Sequence, residues 1–178
     1  MSRHYLVMRQ SVLQGQDQGV DEILRKLSAT RPELAKRLMS VDWEPVIKHV
    51  AREALEQAAK SCGCEVAEEY ENKTSYGSGG VELAEGWECV GVLRLRDNPY
   101  GSDMHIQLGI AITGTKLSLF SNGWSVETPP YQIMKAAFEK AYKEQALKAA
   151  MQLIGGDVKR EEHAGVVVLQ TVLKGGSK

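Results

Sequence analysis

Between Met104 and Ile112 apolar and other residues alternate without a break. Met104, Ile106, Leu108, Ile110 and Ile112 fall on one side, and His105, Gln107, Gly109 and Ala111 on the other. Successive side chains of a strand point to opposite faces, so this period of two predicts a strand with one greasy face in an antiparallel sheet. Residues 89–96 read as the preceding strand, with Asp97-Asn98-Pro99-Tyr100-Gly101 as the turn between them. Gly114 then leads into a further strand over residues 116–120, and Asn122-Gly123-Trp124 leads out.

Elsewhere the period lengthens to three and four. Trp43, Ile47, Val50, Ala54 and Ala58 make one stripe of a helix over residues 43–60, opened by a cap at Ser40-Val41-Asp42 and ended by Ser61-Cys62-Gly63-Cys64. A longer helix is predicted over 129–154, with Thr128 as N-cap, Pro129 and Pro130 in its first turn and Gly155-Gly156 as its stop. Its stripe is Met134, Phe138, Ala141, Tyr142, Ala149 and Leu153, and Gln145 inside that stripe needs a polar partner if buried. The outward side carries Glu139/Lys143 and Glu144/Lys148 in the favourable order. The many alanines suggest close approach to the sheet or to a neighbouring helix.

The rest fills in around these. Residues 5–8 suggest a short buried strand, 14–19 a loop and 20–27 a short helix. Thr30-Arg31-Pro32-Glu33 has capping-box spacing for a helix reaching about Met39. Residues 64–70 read as a strand, and 72–86, rich in glycine, as an exposed mobile loop with a short strand near 81–83. After the long helix come a charged strand over 157–162, a turn at His163-Ala164-Gly165, the apolar run Val166-Val167-Val168-Leu169 and a flexible tail over 174–178. The sum is a single α+β domain over 1–178. It has a mainly antiparallel sheet of five or six strands, with the long C-terminal helix and an N-terminal helical segment (about 20–60) packed on one face.

Composition narrows the function more than the fold. The 178 residues are 43% hydrophobic and 25% charged, ordinary for a folded chain of one domain. Lys+Arg 22 against Asp+Glu 23 leaves a net charge of -1, without the global attraction for phosphate backbones of a dedicated nucleic-acid binder. No stretch approaches the ~20 apolar residues of a membrane helix, and the N-terminus has too short an apolar run for a signal peptide. Three cysteines, an odd count, fit reduced thiols and a cytoplasmic location.

Three constellations are candidates for chemistry. On the polar sheet face, His105 should lie beside Arg94, Arg96 and Lys116, a group able to hold a phosphate or carboxylate, or simply a solvated face. Cys62-Gly63-Cys64 brings two thiols close, and Cys89 or His105 would have to complete a metal site. Structural zinc sites use wider spacing and a second pair, which this chain lacks, and small core cysteines are common. Trp87, Trp124, Tyr100 and Phe120 would mark a partner surface if exposed together, although each tryptophan also suits a core position. Gly77-Ser78-Gly79-Gly80 is followed by Val81-Glu82-Leu83 rather than Lys-Ser/Thr, so it reads as a loop and not a phosphate cradle. No nucleophile pattern and no cofactor motif stands out, and no cofactor is expected.

The chain opens Met1-Ser2 with His4 nearby. It closes with an aromatic-bearing helix (Ala141-Tyr142), a glycine stop, a charged strand and an apolar strand over 165–169. In these ends it resembles an uncharacterised family of cyanobacterial and plastid proteins encoded by conserved chloroplast reading frames. The resemblance covers the opening dozen residues and roughly the last forty. It implies a small accessory protein and supplies no catalytic residues. The lack of a catalytic constellation, the near-neutral charge and a second sheet face that is not fully apolar make the expectation a non-catalytic accessory or adaptor protein, binding a protein partner or itself through the free sheet face and its loops. The alternative is a small-molecule or phosphate-binding enzyme using His105, Arg94, Arg96 and Lys116, and a third reading is a metal or redox module on Cys62 and Cys64.

Overall fold

The alternating segment forms the middle of an antiparallel sheet. The computed structural model describes residues 13–14, 25, 28–74, 77–79, 83–100, 105–121, 123–155 and 157–171. Along them run β1 (Leu13–Gln14), α1 (Pro32–Met39), α2 (Trp43–Cys62), β2 (Cys64–Ala67), β3 (Asn72–Thr74), β4 (Gly77–Gly79), β5 (Glu88–Leu95), β6 (Gln107–Thr113) and β7 (Lys116–Phe120). A single helical turn, α3 (Gly123–Val126), precedes α4 (Pro129–Ile154), β8 (Val158–His163) and β9 (Val166–Thr171). The strand and helix expected over 5–8 and 20–27 lie outside the described residues, apart from a helical Arg25, as does the tail at 174–178.

The main sheet has the order β1-β7-β6-β5-β2, with the two-residue β1 at one edge. Register follows the turns: Thr113 pairs with Lys116 across β6 and β7, and Cys64 with Leu95 across β2 and β5. The even-numbered residues Ile106, Leu108, Ile110 and Ile112 face a core made with α2 and α4, as their alternation requires. The two helices pack against each other, and Ala51, Ala54 and Ala58 of α2 and Ala141, Ala146 and Ala150 of α4 are all buried in the same core. Short side chains let the backbones approach, which is the close packing that the alanine content suggests. The indole N–H of buried Trp43 donates to the Leu38 carbonyl (3.1 Å), tying α1 to α2.

Local chemistry departs from expectation at several ends. Thr128 is the N-cap of α4 in extended backbone, but its hydroxyl donates back to the Ser125 carbonyl (2.6 Å) instead of accepting from the helix. Arg31, not Thr30, holds the cap position of α1, and its guanidinium reaches Glu33. Asp42 does cap α2, accepting from the Glu44 N–H. Within the expected 72–86 loop, β3 and β4 pair as a small hairpin (Lys73 opposite Ser78). The C-terminal hairpin matches its sequence signal. His163 pairs with Val166 around Ala164 (φ 51) and Gly165 (φ 79), the two left-handed residues that a tight hairpin turn demands.

Candidate functional site

The second face of the sheet is closed, which corrects the expectation of a free docking face. Every residue of β6 from Gln107 to Ile112 is buried. Val92, Ala111 and Phe120 form a second, smaller core with Tyr70, and Ala67, Leu83, Trp87 and Cys89 pack around it. The chain after β2 is stitched down over this face by polar bonds. The buried Gln107 side chain donates to the Glu71 carbonyl (2.7 Å), and its amide oxygen accepts from the Glu71 N–H (3.1 Å). Ser121 Oγ donates to the Gln107 carbonyl (2.6 Å), so the Tyr70 hydroxyl, 3.2 Å away, is the donor between those two.

Within this arrangement the cationic group does not assemble as expected. Arg94 is spent on the protein itself. Its Nε donates to Gln107 (3.1 Å) and its Nη2 to the Glu69 carbonyl (2.9 Å), with Glu65 and Glu71 carboxylates 3.6 and 3.8 Å from Nη1. His105 lies at the same end of the face, its Nε2 3.3 Å from a Glu71 oxygen. Arg96 follows β5 and is exposed. Lys116 is opposite Thr113, at the far end of β6 from His105. Eight residues of strand at about 3.3 Å each separate those ends by ~26 Å. Three of the four groups share one end of the sheet, and two of those are already paired with carboxylates.

The aromatic group also separates. Phe120 is 1% exposed and belongs to the second core, which removes it as a partner contact. Trp87 is half-buried against the same core, Tyr100 is exposed on the loop after β5, and the side chain of Trp124 lies outside the described residues. Phe120 could have been assigned inside from its place on the face shared with Ala111, had that face been read as covered.

Cys62 and Cys64 are brought together, their sulfurs 3.3 Å apart across Gly63 at the end of α2. Cys89 is not with them. It lies six positions along β5 from the residue that pairs with Cys64, or ~20 Å by strand rise. Nor is His105, which bonds Glu71 over the second face whereas Cys64 joins the core beneath the helices. Among the described residues no group of three or more His, Cys, Asp or Glu is placed to hold a metal ion.

What periodicity missed lies between α4 and the C-terminal hairpin. There Gln57, Gln145, Lys148, Val158, Arg160 and Leu169, with Glu144, line a cavity of about 290 Å³. Glu144, 8% exposed, takes a charge-assisted bond from Arg160 and a second from Gln57 Nε2 (3.2 Å). Gln57 in turn accepts from Gln145 (2.7 Å), the polar partner that Gln145 requires. Burial raises the Glu144 pKa, but the bonds from Arg160 and Gln57 outweigh it and hold the carboxyl below its ordinary value. The expected Glu144/Lys148 surface pair is thus replaced by a buried anchor to β8, and Glu139 pairs with Lys135 (3.9 Å). These polar groups satisfy one another, so the cavity fastens the hairpin more readily than it holds a ligand.

The hairpin itself leaves a surface open. One face, with Val158, Arg160 and Leu169, turns toward α4. The other displays Val166 (61% exposed) and Val168 (36%), and no third strand joins β8 and β9 among the described residues. None of the described helices is long and apolar enough to cross a membrane. No family model matches the chain, and comparison with curated proteins and with solved structures gives no match either.

Proposed function

We propose that the protein is a non-catalytic accessory protein that binds a protein strand along the open edge of β9. The observation that carries this reading is the exposure of Val166 and Val168 on a two-stranded hairpin with no further strand beside it among the described residues. An uncharged, β-branched edge with unpaired backbone groups invites another strand. The two edges are not alike. β8 carries Lys159, Arg160, Glu161 and Glu162, the charges that guard an edge, whereas β9 (Val-Val-Val-Leu-Gln-Thr) carries none.

The occupant that fits best is β9 of a second copy. Antiparallel pairing about a twofold axis sets an uncharged strand against itself, with no like charges opposed. This rests on the hairpin and not on the sheet face first expected to dock a partner. The enzyme alternative has less support, because Lys116 is remote from His105 and Arg94 is engaged by Gln107 and Glu69.

Sedimentation equilibrium over a wide concentration range tests the reading. A reversible dimer is expected, and Val168→Lys should return it to monomer with the circular dichroism of the fold unchanged. A monomer at every concentration overturns pairing through β9.

A further inference from the structure

Cys62 ends α2 and Cys64 opens β2, and Gly63 between them adopts a left-handed conformation (φ 67). Its N–H returns to the Ala59 carbonyl, closing the helix, and none of the described residues lies within 4 Å of where a side chain would start. The corner therefore folds the two thiols toward each other without crowding. Their sulfurs are 3.3 Å apart, and a disulfide of about 2.05 Å needs them only about 1.2 Å closer. Exposure is divided between them: Cys62 is partly exposed, while Cys64 is 6% exposed and joins the core. Cys62 packs against the edge of the core, with its S–H on the Ala58 carbonyl (2.9 Å).

We propose that Cys62 and Cys64 form a reversible dithiol–disulfide site that reacts with low-molecular-weight disulfides of the glutathione class. The accessible Cys62 loses its proton to solvent and attacks one sulfur of the external disulfide. That S–S bond breaks, and one thiol leaves with the electron pair and takes up a proton. Cys64 then gives up its proton and attacks the Cys62 sulfur of the mixed disulfide, expelling the second thiol. Two protein thiols are oxidised by two electrons, and one external disulfide is reduced to two thiols.

The surroundings suit Cys64 to the second step rather than the first. Burial, followed by the hydrogen bond and charge of Cys62, pushes its thiol up to about 12, whereas the Arg96 charge favours its thiolate. Capping Cys62 removes both of its contributions and leaves burial, which still raises the thiol, and Arg96, which lowers it, in place. Cys89, at the other end of β5, has no such neighbour.

The test uses the full chain, fully reduced and then exposed to oxidised glutathione, with free thiols trapped by an alkylating reagent and located by peptide mass spectrometry. Cys62 and Cys64 should both lose alkylation and appear joined to each other, with Cys89 still alkylated. Cys89→Ser should give the same product. Cys64→Ser should stop at a lasting glutathione adduct on Cys62, and that adduct marks the order of attack. A persistent adduct in the unaltered chain, oxidation at Cys89 first, or continued alkylation of Cys62 and Cys64 would each overturn the proposal.

Discussion

Gly109 and Phe120 face each other across β6 and β7, and the ring of Phe120 lies over the glycine. A side-chain carbon placed at Gly109 would fall 2.2 Å from the ring, which lies tilted against Tyr70 with centroids 5.5 Å apart. The ring is enclosed and has nowhere to swing, so Gly109→Ala is expected to cost about 1–3 kcal/mol, read as a lower denaturant midpoint at unchanged slope. Tyr142 presents the opposite case. Its ring packs near Phe138 in the main core, and its hydroxyl is buried with no hydrogen-bond partner among the described residues. Tyr142→Phe removes an unsatisfied group without opening a cavity, so it should raise stability by roughly 1 kcal/mol in the same measurement, and a loss would show that the hydroxyl is satisfied in solution. Neither feature was legible in the chain. Periodicity placed Tyr142 inside correctly, but it says nothing about whether a buried hydroxyl finds a partner. Gly109 took its place on the polar side of an alternation whose covering ring comes from the next strand.

At the scale of elements, the two helices with strong stripes formed where the spacing placed them, and α2 runs two residues beyond the expected Lys60 to Cys62. The C-terminal hairpin was legible because its turn is decided locally, by Ala164 and Gly165. The polar side of α4 was not, since helical spacing cannot reveal that β8 returns over Glu144. That return makes a pH prediction. The folded pKa of Glu144 is lowered, so the carboxylate contributes stability that is present above the ordinary carboxylate value and is lost as pH falls through the folded one. Acid titration of unfolding should therefore steepen below about pH 4.5 in the native chain, and Glu144→Gln should flatten that limb. An identical acid limb in both would mean that Arg160 does not hold Glu144 in its charged form.

Across the whole molecule, the difference between alternation and exposure decides the functional reading. The odd-numbered side of β6 carries Gln107, Gly109 and Ala111, residues equally at home on a solvated face and beneath a covering loop. The cover comes from residues 68–71 and from Leu83 and Trp87, held by Gln107, Arg94 and Ser121, and no local pattern announces bonds between residues 36 apart, such as Glu71 with Gln107. With that face closed and the cationic group divided between the two ends of the sheet, the proposal of protein binding rests on β9, where Val166 and Val168 are exposed.

Amide hydrogen exchange along β9 tests this most directly. The backbone amides of residues 166–171 should gain protection as protein concentration rises, and lose that gain in Val168→Lys. Exchange on β9 that is equally fast at every concentration, and unchanged by the substitution, would contradict it.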